Sequence, residues 1–289
     1  MLTAAEIKKI RSLREKKYRD EYGLFVVEGE KLVAEALDSG WDVEGVWRIE
    51  EIGERVMARL SSLSTPPPVL AVLRKRPDTD LPAAPAPSSG TFLPTASLPS
   101  SAAATTSPGI PHPIAPGPSP SAPTATNAGG RRPTGLSLAL DGIRDPGNLG
   151  TILRAADWFG VDAVYASADT VDLYNPKVVQ STMGAIFRVA FHYTDLPALC
   201  RRWTAYGGVV YGTFLDGKDI YGEALETGAG APVLVITGSE ADGISPEVAA
   251  CCTSRLYLPP FPPDDPGSES LNAAVATALT LAEFRRRAS

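Results

Sequence analysis

Three short segments of this chain carry residue types that could do chemistry. The first, DGIRDPGNLGTILRAADWFG (Asp141 to Gly160), uses a Pro-Gly turn to deliver Asn148 to a helix start and aims Arg154 from that helix's second turn. An amide and a guanidinium so placed could face a ligand; equally, Asn148 is only a cap and Arg154 only a surface charge. The second, VITGSEADGIS (Val235 to Ser245), runs a hydrophobic stretch into Gly238, then Glu240, then Gly243. Glycines let a ligand approach the backbone closely, and a carboxylate beside them can engage polar groups of a ligand or RNA. The third runs from Leu256 to Phe284, where a proline-rich loop stops at Ser270, Leu271 and Asn272 and a small-residue helix follows, with Ser270 as its natural N-cap. Read singly, each is also an ordinary turn, cap or buried helix. GxGxxG and the Walker A lysine loop are both missing, so the usual nucleotide-binding fingerprints are absent. Cys200, Cys251 and Cys252 have no metal-ligand spacing, and His112 and His192 stand alone. Reduced thiols and no metal are expected.

Elements that would position these loops follow from the hydrophobic pattern. From Gly135 onward strands and helices alternate: SLALDGI, NLGTILRAADWFG, VDAVYAS, a helix through Pro176 to Gly184, VVYGTF, VLVITG, RLYLP and a long helix from Ser270 to Arg287. Such alternation gives an α/β fold with a mostly parallel sheet covered on both faces, and its ligand sites lie beyond the carboxyl ends of the strands. The loops after Leu140, Thr237 and Leu258 then come together, provided those three strands are neighbours.

Residues 1–76 read as a separate small α/β domain with its own core. Its elements are a helix from Ala4 to Lys17, strands at LFVVEG, VEGVW and VLAVLRK, and helices at EKLVAEALDSG and ERVMARLSSL. Residues 77–133 turn abruptly to Pro, Ala, Ser and Thr, with 14 of the 27 prolines. A segment so poor in large apolar residues cannot offset its ordering entropy, so it reads as a disordered tether. The third unit is 134–289.

Composition narrows the function classes. With 289 residues and 44% hydrophobic content the chain can hold two modest cores, and no stretch approaches the roughly 20 apolar residues of a membrane span. The start, MLTAAEIKKIRSLREKK, is charged where a signal peptide is apolar, so a cytoplasmic protein is expected. Net charge is −6, yet Lys8, Lys9, Arg11, Arg14, Lys16, Lys17 and Arg19 face the single acid Glu15. That density suits phosphate contacts, or else a solvated helix face.

Taken together, NLGTILRAA (Asn148 to Ala156), TGSEADGIS (Thr237 to Ser245) and SESLNAAVATAL (Ser268 to Leu279) resemble the three signature motifs of SpoU (TrmH-like) RNA methyltransferases of the SPOUT superfamily. NPKVVQSTMGAIFR (Asn175 to Arg188) is similar to the family's intermediate segment, and Arg11 to Leu37 resembles its ribosomal-protein-like substrate-binding domain. The resemblance implies a deep trefoil knot in the C-terminal part of the sheet, an exception to the rule against threaded chains. It implies S-adenosylmethionine as methyl donor, a ribose 2′-hydroxyl in RNA as acceptor, and a homodimer in which an arginine of one subunit completes the site of the other. By position, Gly238, Leu258 and Leu271 would offer backbone to the adenine end, with Thr237, Ile244 and Pro259 nearby. Asn148, Arg154, Glu240, Ser270 and Asn272 match the residues linked to RNA binding and catalysis. Large-subunit rRNA is favoured over tRNA, on the ribosomal-protein likeness alone.

The sequence departs from the family pattern in its long tether and in PPFPPDDPGSE (Pro259 to Glu269), which borders the cofactor loops. Two other function classes fit the residues less well. A nucleotide-dependent oxidoreductase lacks its glycine fingerprint, and a catalytically silent RNA binder would be free to lose some of the five motif residues, all of which are present.

Overall fold

In the computed structural model, residues 2–76, 134–262, 267 and 269–288 are described. The expected tether, 77–133, lies outside the described residues, as do 263–266 and 268 of the proline-rich loop. Up to residue 76 the elements are helices α1 (Ala4–Ser12) and α2 (Lys16–Tyr22), strand β1 (Leu24–Glu28), helix α3 (Glu30–Asp38), strand β2 (Val43–Arg48), helices α4 (Ile49–Ile52) and α5 (Glu54–Leu60), and strand β3 (Val69–Arg74). The strands form one antiparallel sheet in the order β1-β3-β2.

The single helix expected from Ala4 to Lys17 is in fact two. A capping box fixes the start of α1, with Thr3 and Glu6 bonded reciprocally. The break after Ser12 leaves carbonyls at Leu13 and Arg14 free, and the guanidinium of Arg19 takes both, at 2.9 and 2.7 Å. Arg14 turns the other way, donating to the backbone oxygens of Arg59, Leu60 and Ser61 at the end of α5. Two of the seven basic residues are therefore structural, for the reason that helix ends need hydrogen-bond partners.

Strand alternation buries both faces of this small sheet. Leu24, Val26, Leu70 and Val72 pack with Ile7, Ile10, Leu13, Met57 and Leu60 in a cluster made of this half alone. The other face differs. Phe25, Val27, Val69, Ala71 and Leu73 join one continuous cluster with Leu138, Val178, Ala185 and Phe187 of the second half. Phe25 and Trp41 sit against Tyr174 and Phe187, with ring centroids 4.8 to 6.4 Å apart. Around this apolar seam, Arg19 pairs with Asp172 at 2.6 Å, and Arg188 bridges Glu35 at 2.5 Å and Asp157 at 2.8 Å. The two halves share a core.

The second half comprises β4 (Leu136–Asp141), α6 (Pro146–Trp158), β5 (Val164–Ala166), α7 (Pro176–Thr182), β6 (Phe191–Tyr193), α8 (Leu196–Ala205), β7 (Val209–Asp219), β8 (Val233–Gly238), α9 (Pro246–Ala249), β9 (Ser254–Tyr257) and α10 (Ala273–Arg287). All six strands are parallel, in the order β6-β5-β4-β8-β7-β9. Leu138, Val233 and Val235 face one cluster, while Ala139, Leu234 and Ile236 face another built on Leu199, Trp203 and Val248. Both faces are covered, as the fold class requires.

One condition of the sequence reading fails. β4 and β8 are neighbours, but β9 is an edge strand beyond β7. The third loop reaches the site all the same, because the chain returns from that edge and α10 lies alongside α6. Asn272 bonds Asn148 at their starts, and Arg285 donates to the carbonyls of Phe159 and Gly160 at their ends, at 2.6 and 2.9 Å.

Candidate active site

The first loop is held by caps other than Asn148. Asp145 caps α6, accepting from the Asn148 N–H at 2.8 Å, with Pro146 at the first helical position. The Asn148 side chain is thereby released from capping. Its Nδ2 donates to Glu240 Oε1, and its Oδ1 accepts from Asn272 Nδ2 at 2.9 Å. Asn272, rather than the expected Ser270, is the cap of α10, accepting from the N–H groups of Ala274 and Val275 at 3.1 and 3.3 Å. Hydrogen bonds in this chain run one way, from helix N–H to Asn272, from Asn272 to Asn148, and from Asn148 to the carboxylate. Each amide orientation is fixed by its neighbour. One network thus ties the three loops that the sequence singled out.

The loop after β8 is closed on itself. Ser239 and Gly243 exchange backbone hydrogen bonds at 3.0 and 3.2 Å, and a Cβ at Gly238 would collide with the backbone of Gly243 and Ile244. Gly243 has φ +68°, a conformation that favours glycine. Thr237 is buried and bonded through its hydroxyl to Thr277 at 3.1 Å, which pins α10 to the end of β8. Ile244 is buried, Leu258 and Pro259 are half-buried, and Leu271 is exposed. Ser270 is exposed two residues before the cap.

Arg154 stands apart from this network. It is exposed on α6 and ion-paired with no described residue. A guanidinium six residues, about 1.7 turns, beyond Asn148 and without an ion pair among the described residues is available to an incoming anion. Two contributors escaped the sequence reading. Asp141 accepts from both the N–H and hydroxyl of Ser245 at 2.7 Å, and Arg144 bridges Asp169 at 3.6 Å and Asp242 at 3.3 Å. A buried acid ending a strand, in line with the next strand's loop, was the available signal for Asp141.

The basic run divides in three. Lys8, Lys9, Arg11 and Lys17 are exposed, with Lys9 and Lys17 over the rings of Tyr22 and Tyr18. Lys16 pairs with Asp20 at 2.7 Å. Arg19 is only 2% exposed and locked to Asp172, so burial removes it from any RNA-facing set. Among the described residues no cluster of three His, Cys, Asp or Glu could hold a metal, and no helix is long and apolar enough to cross a membrane.

Comparison with known proteins gives this geometry a family. The profile of the SpoU rRNA Methylase family matches residues 135–282, half of the chain, which includes all three loops. This chain belongs to the SpoU rRNA methylase family. Residues 4–53 match the MRM3-like substrate binding domain. A TrmH-family structure from Porphyromonas gingivalis is 34% identical, with a TM-score of 0.71 and 99% of each chain covered. The AdoMet-bound rRNA methyltransferase from Sinorhizobium meliloti is 26% identical, with a TM-score of 0.71 over 99% of this chain and 96% of that one. The 23S rRNA (guanosine(2553)-2′-O)-methyltransferase RlmP of Bacillus subtilis is 34% identical over 148 residues, 51% of this chain and 57% of that protein. The chain spans about half the length of the curated relatives it matches.

Proposed function

We propose that this protein transfers a methyl group from S-adenosylmethionine to a ribose 2′-hydroxyl of RNA, most naturally large-subunit rRNA. The observation that carries the reading is the Glu240–Asn148–Asn272 network, which joins the three family motifs at the carboxyl end of β4 and β8 and leaves Arg154 unengaged. By family position the donor lies against these loops: Gly238 ends β8 where the loop folds back on itself, Leu258 is half-buried after β9 and Leu271 is exposed before α10, the apolar side chain of the three most open to an adenosine. A bound sulfonium supplies an already activated methyl carbon. The protein's own work is then positioning and charge. A guanidinium stays protonated in proteins, so Arg154 serves as an anchor for a phosphate and for the developing alkoxide, not as the base. Asn148, Glu240 and Asn272 hold the loops in register, and Ser270, exposed two residues before the Asn272 cap, is assigned to the RNA-facing set by its motif position.

The preference for rRNA over tRNA rests on the curated relative acting on 23S rRNA and on the substrate-binding domain match. The deep knot belongs to this reading through the family likeness alone, the packing of α10 along α6 being the arrangement such a knot would hold. Titration calorimetry with S-adenosylmethionine, followed by methyl incorporation into unmodified 23S rRNA and nuclease mapping, tests the reading. Cofactor binding and an alkali-resistant 2′-O-methyl dinucleotide are expected; failure to bind the cofactor would sink it, and binding without transfer would identify a silent RNA binder.

A homodimer completes this reading. On α6, Thr151, Arg154 and Trp158 form an exposed face, with Trp158 86% exposed; beside it α10 exposes Val275 and Leu279. Two parallel helices with an apolar stripe flanking Arg154 suit a second copy of the chain, which would bring that arginine to the partner's site. The double substitution Trp158→Glu/Leu279→Glu should yield monomers by sedimentation and lose most activity. A dimer that survives it would place the interface elsewhere.

A further inference from the structure

Where the two halves of the chain meet they leave a cleft of about 620 Å³. The N-terminal half contributes Lys16, Arg74, Lys75 and Arg76, and the second half contributes Tyr174 and Tyr193. Two acids, Asp20 and Asp172, also line it, and Asp172 is already matched by Arg19. Lys16 and Lys75 share the single carboxylate of Asp20 and hold it down to about 2. Arg74 reaches Asp42 and Glu44. Arg76 has no ion pair with a described residue and lies 4.4 Å from the centroid of the Trp41 ring. Five cations, Lys16, Arg19, Arg74, Lys75 and Arg76, thus meet four acids, Asp20, Asp42, Glu44 and Asp172, which leaves one positive charge in surplus, in a chain whose net charge is −6.

The position of the cleft matters as much as its charge. Its lining includes Ala168 and Thr170, just after β5, and Tyr193, the last residue of β6. It therefore opens at the carboxyl ends of the parallel strands, the edge that also carries Asn148 and Glu240. A single short segment separates it from the catalytic loops. At one end of that segment the Ser167 hydroxyl accepts from the Gly142 N–H at 2.8 Å and Asp169 meets Arg144; at the other, Asp172 is clamped by Arg19. Cleft and methyl-transfer loops share this wall.

We propose that the cleft holds the phosphodiester backbone of the RNA strand next to the nucleotide being methylated, with Arg76 and Lys75 on phosphates. A cleft edged with cations suits a single strand, whose phosphate charge is constant whatever its bases; the Tyr174 and Tyr193 rings that border it are packed against Phe25 and Phe191 and serve as its apolar wall. Lys75 is 21% exposed, so salt screens it less than the exposed lysines of α1, and Arg76, although exposed, is held in place over the Trp41 ring. The inference rests on the RNA methyltransferase reading.

The test uses the full chain and a fluorescent oligouridylate of about 20 nucleotides as the RNA, with affinity measured across a salt series. For Lys75→Gln/Arg76→Gln we expect affinity at least tenfold weaker and a log–log salt slope flatter by about 1.4, two single-strand phosphates' worth. Arg76→Glu, a single change outside every core cluster, should weaken binding on its own if the double variant folds poorly. S-adenosylmethionine affinity, measured in parallel, separates the two claims. Wild-type slopes in both variants with cofactor still bound would overturn the cleft proposal alone, the more so if Lys8→Gln/Lys9→Gln flattened the slope instead. No cofactor binding by the wild type would overturn the underlying reading. Equal weakening towards inorganic tripolyphosphate and oligouridylate would show a general anion site and overturn the strand assignment.

Discussion

Arg154→Ala is expected to lower the rate of methyl transfer by on the order of a hundredfold or more, as removal of one preorganised charge-stabilising group does. Cofactor affinity should stay at the wild-type value, because Arg154 is exposed and bonded to none of the three loops. Asn148→Ala should lose comparable activity by a different route. Its amide joins Glu240 to Asn272, and Asn272 caps the helix that Leu271 enters, so the loops that frame the cofactor loosen and its affinity falls as well. Single-turnover rates together with calorimetric dissociation constants distinguish the two. Wild-type turnover in Arg154→Ala would remove it from the reaction, and unchanged cofactor affinity in Asn148→Ala would show that the network is not what orders the loops.

Arg19→Ala is the substitution expected to harm stability most. The guanidinium is 2% exposed, carries a charge pair with Asp172 and satisfies the carbonyls of Leu13 and Arg14. Removing one partner of a buried pair costs about 3–5 kcal/mol, since the other charge is left uncompensated. Replacing both, as Arg19→Met/Asp172→Leu, should recover much of that loss, although the two carbonyls remain unpaired. Urea unfolding followed by tryptophan fluorescence reports the difference. A loss below about 1 kcal/mol for the single variant would mean that the pair behaves as a surface one.

How much of this was legible beforehand depends on the residue. Strands such as VLVITG and SLALD announce themselves, because continuous apolar runs ended by glycine or aspartate have few alternatives. The three loops were legible as a set through family likeness. Their connection was not, since nothing in the spacing of Asn148, Glu240 and Asn272 says that Asp145 takes over the cap and frees an amide. Helix α8 is as legible as any, since Asp195 caps it and Leu196, Leu199, Cys200 and Trp203 recur at helical spacing on its buried side, yet it is missing from the alternation of strands and helices read from the sequence. Strand β7 runs to Asp219, past the apolar stretch that defines VVYGTF, because backbone pairing with β9 resumes at Lys218 after an irregularity. Arg19 is the plainest lesson. A cation in a basic run looks like its neighbours, and only the break between α1 and α2 turns it inward.

The shared face of the β1-β3-β2 sheet has a consequence for synthesis on the ribosome. Phe25, Val27, Ala71 and Leu73 are complete when residue 73 emerges, yet the side chains that cover them, Tyr174 and Phe187 among them, lie about 100 residues further along. At about 5–20 residues per second, the nascent chain carries this apolar sheet face uncovered for roughly 5–20 seconds. The proline-rich stretch from 77 to 133 falls inside that interval, so its length sets how long the growing polypeptide must escape aggregation or borrow a chaperone.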